Sequence, residues 1–220
     1  MDILEPLPAE ELEKLSSRIA EVHSEEGQLF YTPSHSSRVL FLLLEGRVRI
    51  YKMVSERELT LDVIESGTMF GEAALVGEPE GSYAEILEPS RIAFLSVNVL
   101  RQTIRNNPEV GLKIAELLIR RLRLYSDKMA DLALKEIPAR LAHLLLWLAE
   151  IEGTAGPDGY LMSSRYTHEQ IGAMIGAKRV AVTRAMSKLR KDGAIEADRK
   201  HILIKDREAL QRIATDSALA

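Results

Sequence analysis

Between Pro108 and Pro138 the chain reads as one long helix, and no other feature limits its fold so strongly. Pro108 follows the turn residues Asn106 and Asn107 and stands where a first-turn proline is tolerated. Pro138 interrupts the helical pattern and marks a hinge. Within this segment Ala115, Leu118, Leu122, Tyr125, Met129 and Leu132 are spaced 3, 4, 3, 4, 3, which is the a/d repeat of a coiled coil. Arg121, Arg123, Asp127 and Lys128 flank the stripe. A helix this long outruns the surface of a small barrel, so the stripe predicts a parallel homodimer seam. A single helix packed along its own domain carries the same pattern. The helix divides the chain into residues 1–106, 107–137 and 138–220.

The first part opens with a short acidic amphipathic helix over residues 8–20 and continues as strands and turns over 22–96. "QLFY", "VLFLLLEGRVRIYKM", "ELTLDVI", "GTMFGE", "YAEIL" and "RIAFLSV" include several alternations of apolar and polar residues. Glu45-Gly46, Glu65-Ser66-Gly67 and Glu88-Pro89-Ser90 read as the turns between them. Short strands at spacings of about 8–12 residues predict a small antiparallel barrel or jelly roll. An ordinary β-sandwich without a ligand fits the same spacing.

Charge separates the ends of the molecule. The formal net charge is −4, but residues 138–220 hold 13 Lys and Arg against 10 Asp and Glu, leaving 16 against 23 for residues 1–137. Averages conceal such a distribution. The basic excess gathers in "GAKRVAVTRAMSKLRKDG" and the hairpin after it: residues 178–200 carry eight basic and three acidic side chains.

Upstream lies "THEQIGAMIG", where Thr167 is a candidate N-cap with Gln170 three residues on, the capping-box pairing. Ile171, Met174 and Ile175 form an apolar face, Gly172 is small where a second helix crosses, and Gly176 suits a tight turn. The second helix starts near Lys178, with Val182, Ala185 and Met186 inward. This is a helix-turn-helix pattern, although any helical hairpin shares its outline. Lys178, Arg179 and Arg184 fall in the N-terminal half of the second helix, the part that reaches base edges. Thr167, His168, Lys178, Thr183, Lys188 and Lys200 are candidate phosphate contacts, with Arg190, Lys191, Arg199 and His201 as further cationic or titratable neighbours. "YLMSS" reads as a short strand, and "AIEADRKHILIKDREALQRIA" as a β-hairpin and a closing helix.

"GTMFGEAAL", "NNPEVGLKIAELLIRRL" and "THEQIGAMIGAKRVAVTRAMSKLRKDGAI", in that order, resemble the cyclic-AMP receptor protein/FNR (Crp/Fnr) family of bacterial transcription regulators over nearly all 220 residues. The resemblance implies an α+β fold: an N-terminal β-roll of jelly-roll, cyclic-nucleotide-binding-like form, a long dimerisation helix and a C-terminal winged helix-turn-helix. It also implies that Arg179 and Arg184 read the half-site. The family often has glutamate after the first arginine, and this chain has Val180. A carboxylate accepts from a cytosine amino group, whereas valine offers only apolar contact, for instance to a thymine methyl. "RVAVTR" is similar to the cyanobacterial nitrogen-control branch, so GTA- or GTG-type half-sites in a dyad are expected. The β-roll and residues 152–160 are candidate surfaces for RNA polymerase by resemblance, the latter being otherwise a turn-rich connection.

Family members that bind cyclic AMP carry a glycine-glutamate pair and, about ten residues later, an arginine-serine pair that holds the phosphate. Here Gly71 and Glu72 match, but "LVGEPEGSYAEILEPS" offers Glu80, Gly81 and Ser82, and no arginine occurs between Arg57 and Arg91. Glu80 would repel a phosphate. Gly71, Glu72, Ser82 and Arg121 are therefore read as a degenerate effector pocket, with Glu72 as a carboxylate holding the roll to the hinge. The leading expectation is an activator that needs no cyclic AMP and no cofactor and is controlled by its own expression. The alternative is gating by a small dicarboxylate such as 2-oxoglutarate, with Arg120, Arg121 or Arg123 as its cation. Solvated surface arginines are the competing reading of those three residues.

Cysteine is absent, which excludes disulfides, thiolate metal sites and cysteine-held iron–sulfur clusters. The five histidines show no metal-ligand spacing, and no nucleophile–base pair or phosphate-cradling loop can be assembled, so no enzyme is expected. No apolar run approaches the length of a membrane span, and the mixed N-terminus is no targeting peptide, which predicts a cytoplasmic protein without a membrane partner.

Overall fold

The computed structural model describes residues 3–17, 19–36, 38–162, 166–198 and 201–215. Two compact units divide the chain, Met1–Tyr125 and Ser126–Ala220. The α+β architecture expected from the sequence is present: an antiparallel roll, a long helix and a C-terminal helix-turn-helix with its own small sheet.

The roll is built on two long strands, β3 (Val39–Val54) and β6 (Tyr83–Ser96), which pair along most of their length. β1 (Ala20–Ser24) and β2 (Leu29–Tyr31) add to β6, while β4 (Arg57–Glu65) and β5 (Thr68–Phe70) add to β3. Two of the three turns read from the sequence are not turns. Glu45-Gly46 lies inside β3 and Glu88-Pro89-Ser90 inside β6, where the register shifts between Leu43 and Val48. These are bulges, which bend a strand without ending it. Gly46 has φ 91°, and a Cβ there would stand 2.2 Å from Ser90 Oγ and 2.6 Å from the Pro89 carbonyl oxygen, so only glycine fits.

Alternation along β3 serves two cores. Phe41, Leu43, Val48 and Ile50 point into the roll with Ile64, Phe70, Ile86 and Ile92. Leu40 and Leu42 face the opposite way, onto α1 (Ala9–Ser16), α2 (Val97–Asn106) and the first turns of α3 (Pro108–Leu134), through Leu15, Leu100, Val110, Ile114 and Leu117. Helix α2, capped by Ser96 accepting from the Val99 amide, was not anticipated from the sequence. Its residues fall between the strand pattern and the long helix and show too few periods to stand out.

Pro138 lies in the first turn of α4 (Ile137–Glu152), after α3 has ended at Leu134. The apolar α4 is the spine of the second unit. Its Leu141, Leu145 and Leu148 are wholly buried, each contributing about 1.5–3 kcal/mol by leaving water. Around it pack α5 (His168–Ile175), α6 (Arg179–Lys191) and α7 (Arg207–Thr215). The loop expected over residues 152–160 contains a strand, β7 (Gly153–Gly156), which forms a hairpin with β8 (Gly159–Met162). With β9 (Ile195–Ala197) and β10 (Ile202–Ile204) they make a sheet in the order β7-β8-β10-β9. Among the described residues no helix is long and apolar enough to cross a membrane.

Candidate nucleic-acid interface and effector pocket

Helix α5 starts on a complete capping box. The Thr167 hydroxyl accepts from the Gln170 amide at 3.1 Å, and the Gln170 side chain accepts from the Thr167 amide at 2.8 Å. It ends on Gly176 at φ 65°, a left-handed cap. Gly172 is required by the turn rather than by the crossing helix, because a Cβ there would come 2.5 Å from the Ala177 carbonyl oxygen. The chain then enters α6 with Lys178 at its N-cap.

Helix α6 divides cleanly. Val182, Ala185, Met186 and Leu189 enter the core of the unit. Arg179, Val180, Thr183, Arg184 and Lys188 are exposed, Val180 to 62%. Among the described residues no carboxylate pairs with Lys178, Arg179, Arg184, Lys188, Arg190 or Lys191, so this cationic face is uncompensated. His168 joins the two helices: its Nδ1 lies 2.8 Å from Thr183 Oγ1, and that hydroxyl donates to the Arg179 carbonyl at 3.0 Å. Sequence spacing alone did not pair these two residues. The β9–β10 turn brings His201 beside Asp198, and Lys200 lies outside the described residues, as does Arg199.

At the junction of α3 and α4, Asp131 accepts from Lys135 at 2.7 Å and lies 2.5 Å from His143 Nδ1. Burial opposes ionisation of this carboxyl, and the hydrogen bonds from Lys135 and His143 outweigh it, holding its pKa below the ordinary value. Arg140 donates to the Ile175 carbonyl at 2.8 Å, linking α4 to the end of α5.

The expected seam residues on α3 divide by exposure. Ala115, Leu122 and Met129 are exposed, but Leu118, Tyr125 and Leu132 are half-buried, and Leu118 packs into the core between roll and helices. The apolar residues that accompany the exposed three are Leu112 and Ile119, again at 3, 4 spacing. Both registers satisfy a heptad, and only the docking of Val110, Ile114, Leu117 and Arg121 chooses between them.

The glycine-glutamate pair of the roll is held by the protein's own side chains. Gly71 has φ 79°, and a Cβ on it would stand 2.6 Å from the Phe41 ring. Arg121, grouped from the sequence with Gly71, Glu72 and Ser82 in a degenerate effector pocket and otherwise read as a solvated cation or the partner of a dicarboxylate, is 6% exposed. Its Nη1 lies 3.0 Å from Glu72 Oε1, its Nε 3.3 Å from Asp62 Oδ2, and its Nη2 donates to the Met69 carbonyl at 2.5 Å. Tyr31 is buried among His35, Phe41 and Phe70 and hydrogen-bonds Ser82, which is itself buried. Burial, then the charge of Glu80, pushes the Tyr31 phenol far up. Burial and next the charge of Glu72 push the Glu80 carboxyl up to about 7, against a hydrogen bond from the Ala73 backbone. Burial and the Asp62 charge push Tyr125 up to about 12. Two carboxylates, Asp62 and Glu72, thus flank a single guanidinium, and Glu80 adds a third acid beside Glu72. The segment between Arg57 and Arg91 contains no lysine either.

A roll of this topology followed by a long helix and a winged helix-turn-helix defines a class, the DNA-binding transcription regulators built on a cyclic-nucleotide-binding fold. Residues 21–107 match the cyclic nucleotide-binding domain and residues 139–213 the Crp-like helix-turn-helix domain. The cAMP-activated global transcriptional regulator CRP of Pasteurella multocida is 31% identical over 172 residues, covering 76% of this chain and 81% of its own. A CRP-like cAMP-activated global transcriptional regulator of Mycobacterium tuberculosis is 29% identical over 202 residues, covering 91% and 90%. The structure of a CooA variant from Carboxydothermus hydrogenoformans superposes with TM-score 0.84 at 24% identity over 98% of this chain and 96% of that one. The CRP/FNR-family regulator TTHA1359 of Thermus thermophilus gives 0.77 at 25% identity over 90% and 100%. The chain belongs to the Crp/Fnr family of transcription regulators.

Proposed function

We propose that this regulator is a cytoplasmic homodimer, an activator, that binds dyad-symmetric DNA without cyclic AMP. The observation that carries the effector part is Arg121, fixed on Glu72, Asp62 and the Met69 carbonyl beside the glycine-glutamate pair of the roll. Its relatives from Pasteurella and Mycobacterium are named as cAMP-activated, and this chain departs from the cyclic-AMP-binding pattern where Glu80 and Gly81, with no arginine, precede Ser82. A phosphate entering here would meet Glu80, and Arg121 is already paired. The same pairing argues against a dicarboxylate, since the guanidinium that would hold it is already matched by two carboxylates.

Arg179 and Arg184 read a GT step in each half-site, Val180 packs against a thymine methyl, and GTA- or GTG-type half-sites follow from the likeness of "RVAVTR" to the nitrogen-control branch. The exposed face of α3 through Leu112, Ile119, Leu122 and Met129 supports the dimer. The roll and the β7–β8 hairpin are the surfaces offered to RNA polymerase. Selection of bound duplexes from a random pool by ligand-free protein tests the reading. Recovery of a dyad with GT in each half supports it, and binding that appears only on adding cyclic AMP, cyclic GMP or 2-oxoglutarate overturns it.

A further inference from the structure

The hydrogen bonds between α5 and α6 select one histidine tautomer when the Thr183 hydroxyl bonds to the Arg179 carbonyl. A carbonyl oxygen only accepts, so in its 3.0 Å bond to the Arg179 carbonyl the Thr183 hydroxyl gives up its one proton. His168 Nδ1, 2.8 Å from the same hydroxyl oxygen, is then the donor. The imidazole is held as the Nδ1–H form, and when the ring is neutral its Nε2 carries a lone pair. A phosphate oxygen is an acceptor too. A neutral ring in this arrangement offers it nothing, whereas a protonated ring offers a charged N–H.

His168 is the first residue of α5, directly after the Thr167 cap and half-exposed, and Thr183 lies on the exposed face of α6 with Arg179 and Arg184. We infer that His168 is a proton-linked phosphate contact: DNA binding protonates its imidazole, and Thr183 is the positioning residue that makes protonation necessary. The inference rests on the DNA-binding reading of this face and adds a proton to it. The charged side chains on the surrounding elements are Glu169 on α5, Glu152 at the end of α4, which accepts from Tyr166, and Lys178, Arg179, Arg184 and Lys188 on α6.

The experiment uses full-length protein and a duplex recovered by the wild type from a random pool, with dissociation constants measured by anisotropy from pH 6 to 8.5 at fixed ionic strength. Wild-type affinity rises as pH falls, by up to about tenfold per pH unit for each imidazole that takes up a proton. His168→Gln removes that slope and holds the weak, high-pH affinity throughout. His168→Arg, permanently charged, is flat and tight. Thr183→Val frees Nδ1, allows the neutral ring to present Nε2–H, and so shrinks the slope without the loss seen in His168→Gln. At pH 6 the salt dependence of His168→Gln falls by about 0.9 per protomer, the share of one phosphate contact. Other groups titrate in this range, Glu80 among them, so attribution rests on the variants. Calorimetry in two buffers of different ionisation heat counts the protons directly. A wild-type slope retained in His168→Gln, or equal proton uptake by the two proteins, overturns the inference while leaving DNA binding intact. Failure of the wild type to recover any duplex sinks the DNA-binding reading, and the inference with it.

Discussion

Arg121 Nη1 lies 3.0 Å from Glu72 Oε1, joining the long helix to the roll across 49 positions of sequence. The pair is nearly shielded from water on the arginine side, and Asp62 and the Met69 carbonyl complete the guanidinium's partners. Truncating one member of such a group strands the others as unpaired buried charge. Arg121→Met is expected to lower unfolding free energy by about 3–5 kcal/mol. Glu72→Gln loses less, because Asp62 still faces the guanidinium. Urea melts of both variants at neutral pH check the order.

Glu80 makes stability depend on pH in the opposite sense to a paired carboxylate. Its folded pKa of about 7 is raised above the ordinary 4.5, so the folded state holds the proton longer than the unfolded state. Stability is undiminished below the unfolded value, declines as pH rises between the two, and the deficit is complete above 7. Glu80→Gln should therefore match the wild type near pH 4.5 and exceed it at pH 8 by about 2 kcal/mol, the full linkage discounted for partial exposure. Thermal melts across this range provide the comparison.

Leu122 and Ile119 belong to the exposed α3 stripe, whereas Leu118 packs inward. In sedimentation experiments Leu122→Glu or Ile119→Glu should shift a dimer toward monomer with little loss of fold. Leu118→Ala should instead lower stability by up to about 2–5 kcal/mol, the lower end suiting a half-buried side chain, and leave assembly less affected.

Val180 is exposed at 62% and meets nothing that holds the fold together. Val180→Glu should leave the melting temperature unchanged and move the preferred half-site toward a cytosine at the base it faces. Arg179→Ala or Arg184→Ala should lose about 1–3 kcal/mol of base discrimination. Selection from a random pool followed by sequencing shows both effects.

Gly172 faces the Ala177 carbonyl oxygen at 2.5 Å from the place a Cβ would occupy. Gly172→Ala is expected to destabilise the second unit by about 1–3 kcal/mol, since backbone must move to admit the methyl. A lowered melting temperature with weakened DNA binding is the signature.

Local chemistry was the legible part of this sequence. The Thr167–Gln170 capping box, the left-handed Gly176, the start of α6 at Lys178 and the break before Pro138 are all decided by a few adjacent residues, and the structure has each of them. Features decided by distant partners were not legible. Gly46 and Pro89 carry turn chemistry, yet they bend long strands at bulges set by their mutual contact. The two heptad registers of α3 are equivalent until one face is docked. Arg121 could be grouped with Glu72 in one pocket, but its burial and its second carboxylate, Asp62, appear only once the roll is folded against the helix. The His168–Thr183 bond needed the turn between their helices to be folded first.

The two-sided construction of α6 has a consequence for how such a protein diverges. Residues that anchor the helix (Val182, Ala185, Met186, Leu189) and residues that meet the solvent (Arg179, Val180, Arg184) are disjoint sets. If the second set reads bases as proposed, duplicated copies of the gene can drift to new target sequences by changing that set alone. Folding places little brake on that drift, and a regulatory network can be rewired without rebuilding the molecule that reads it.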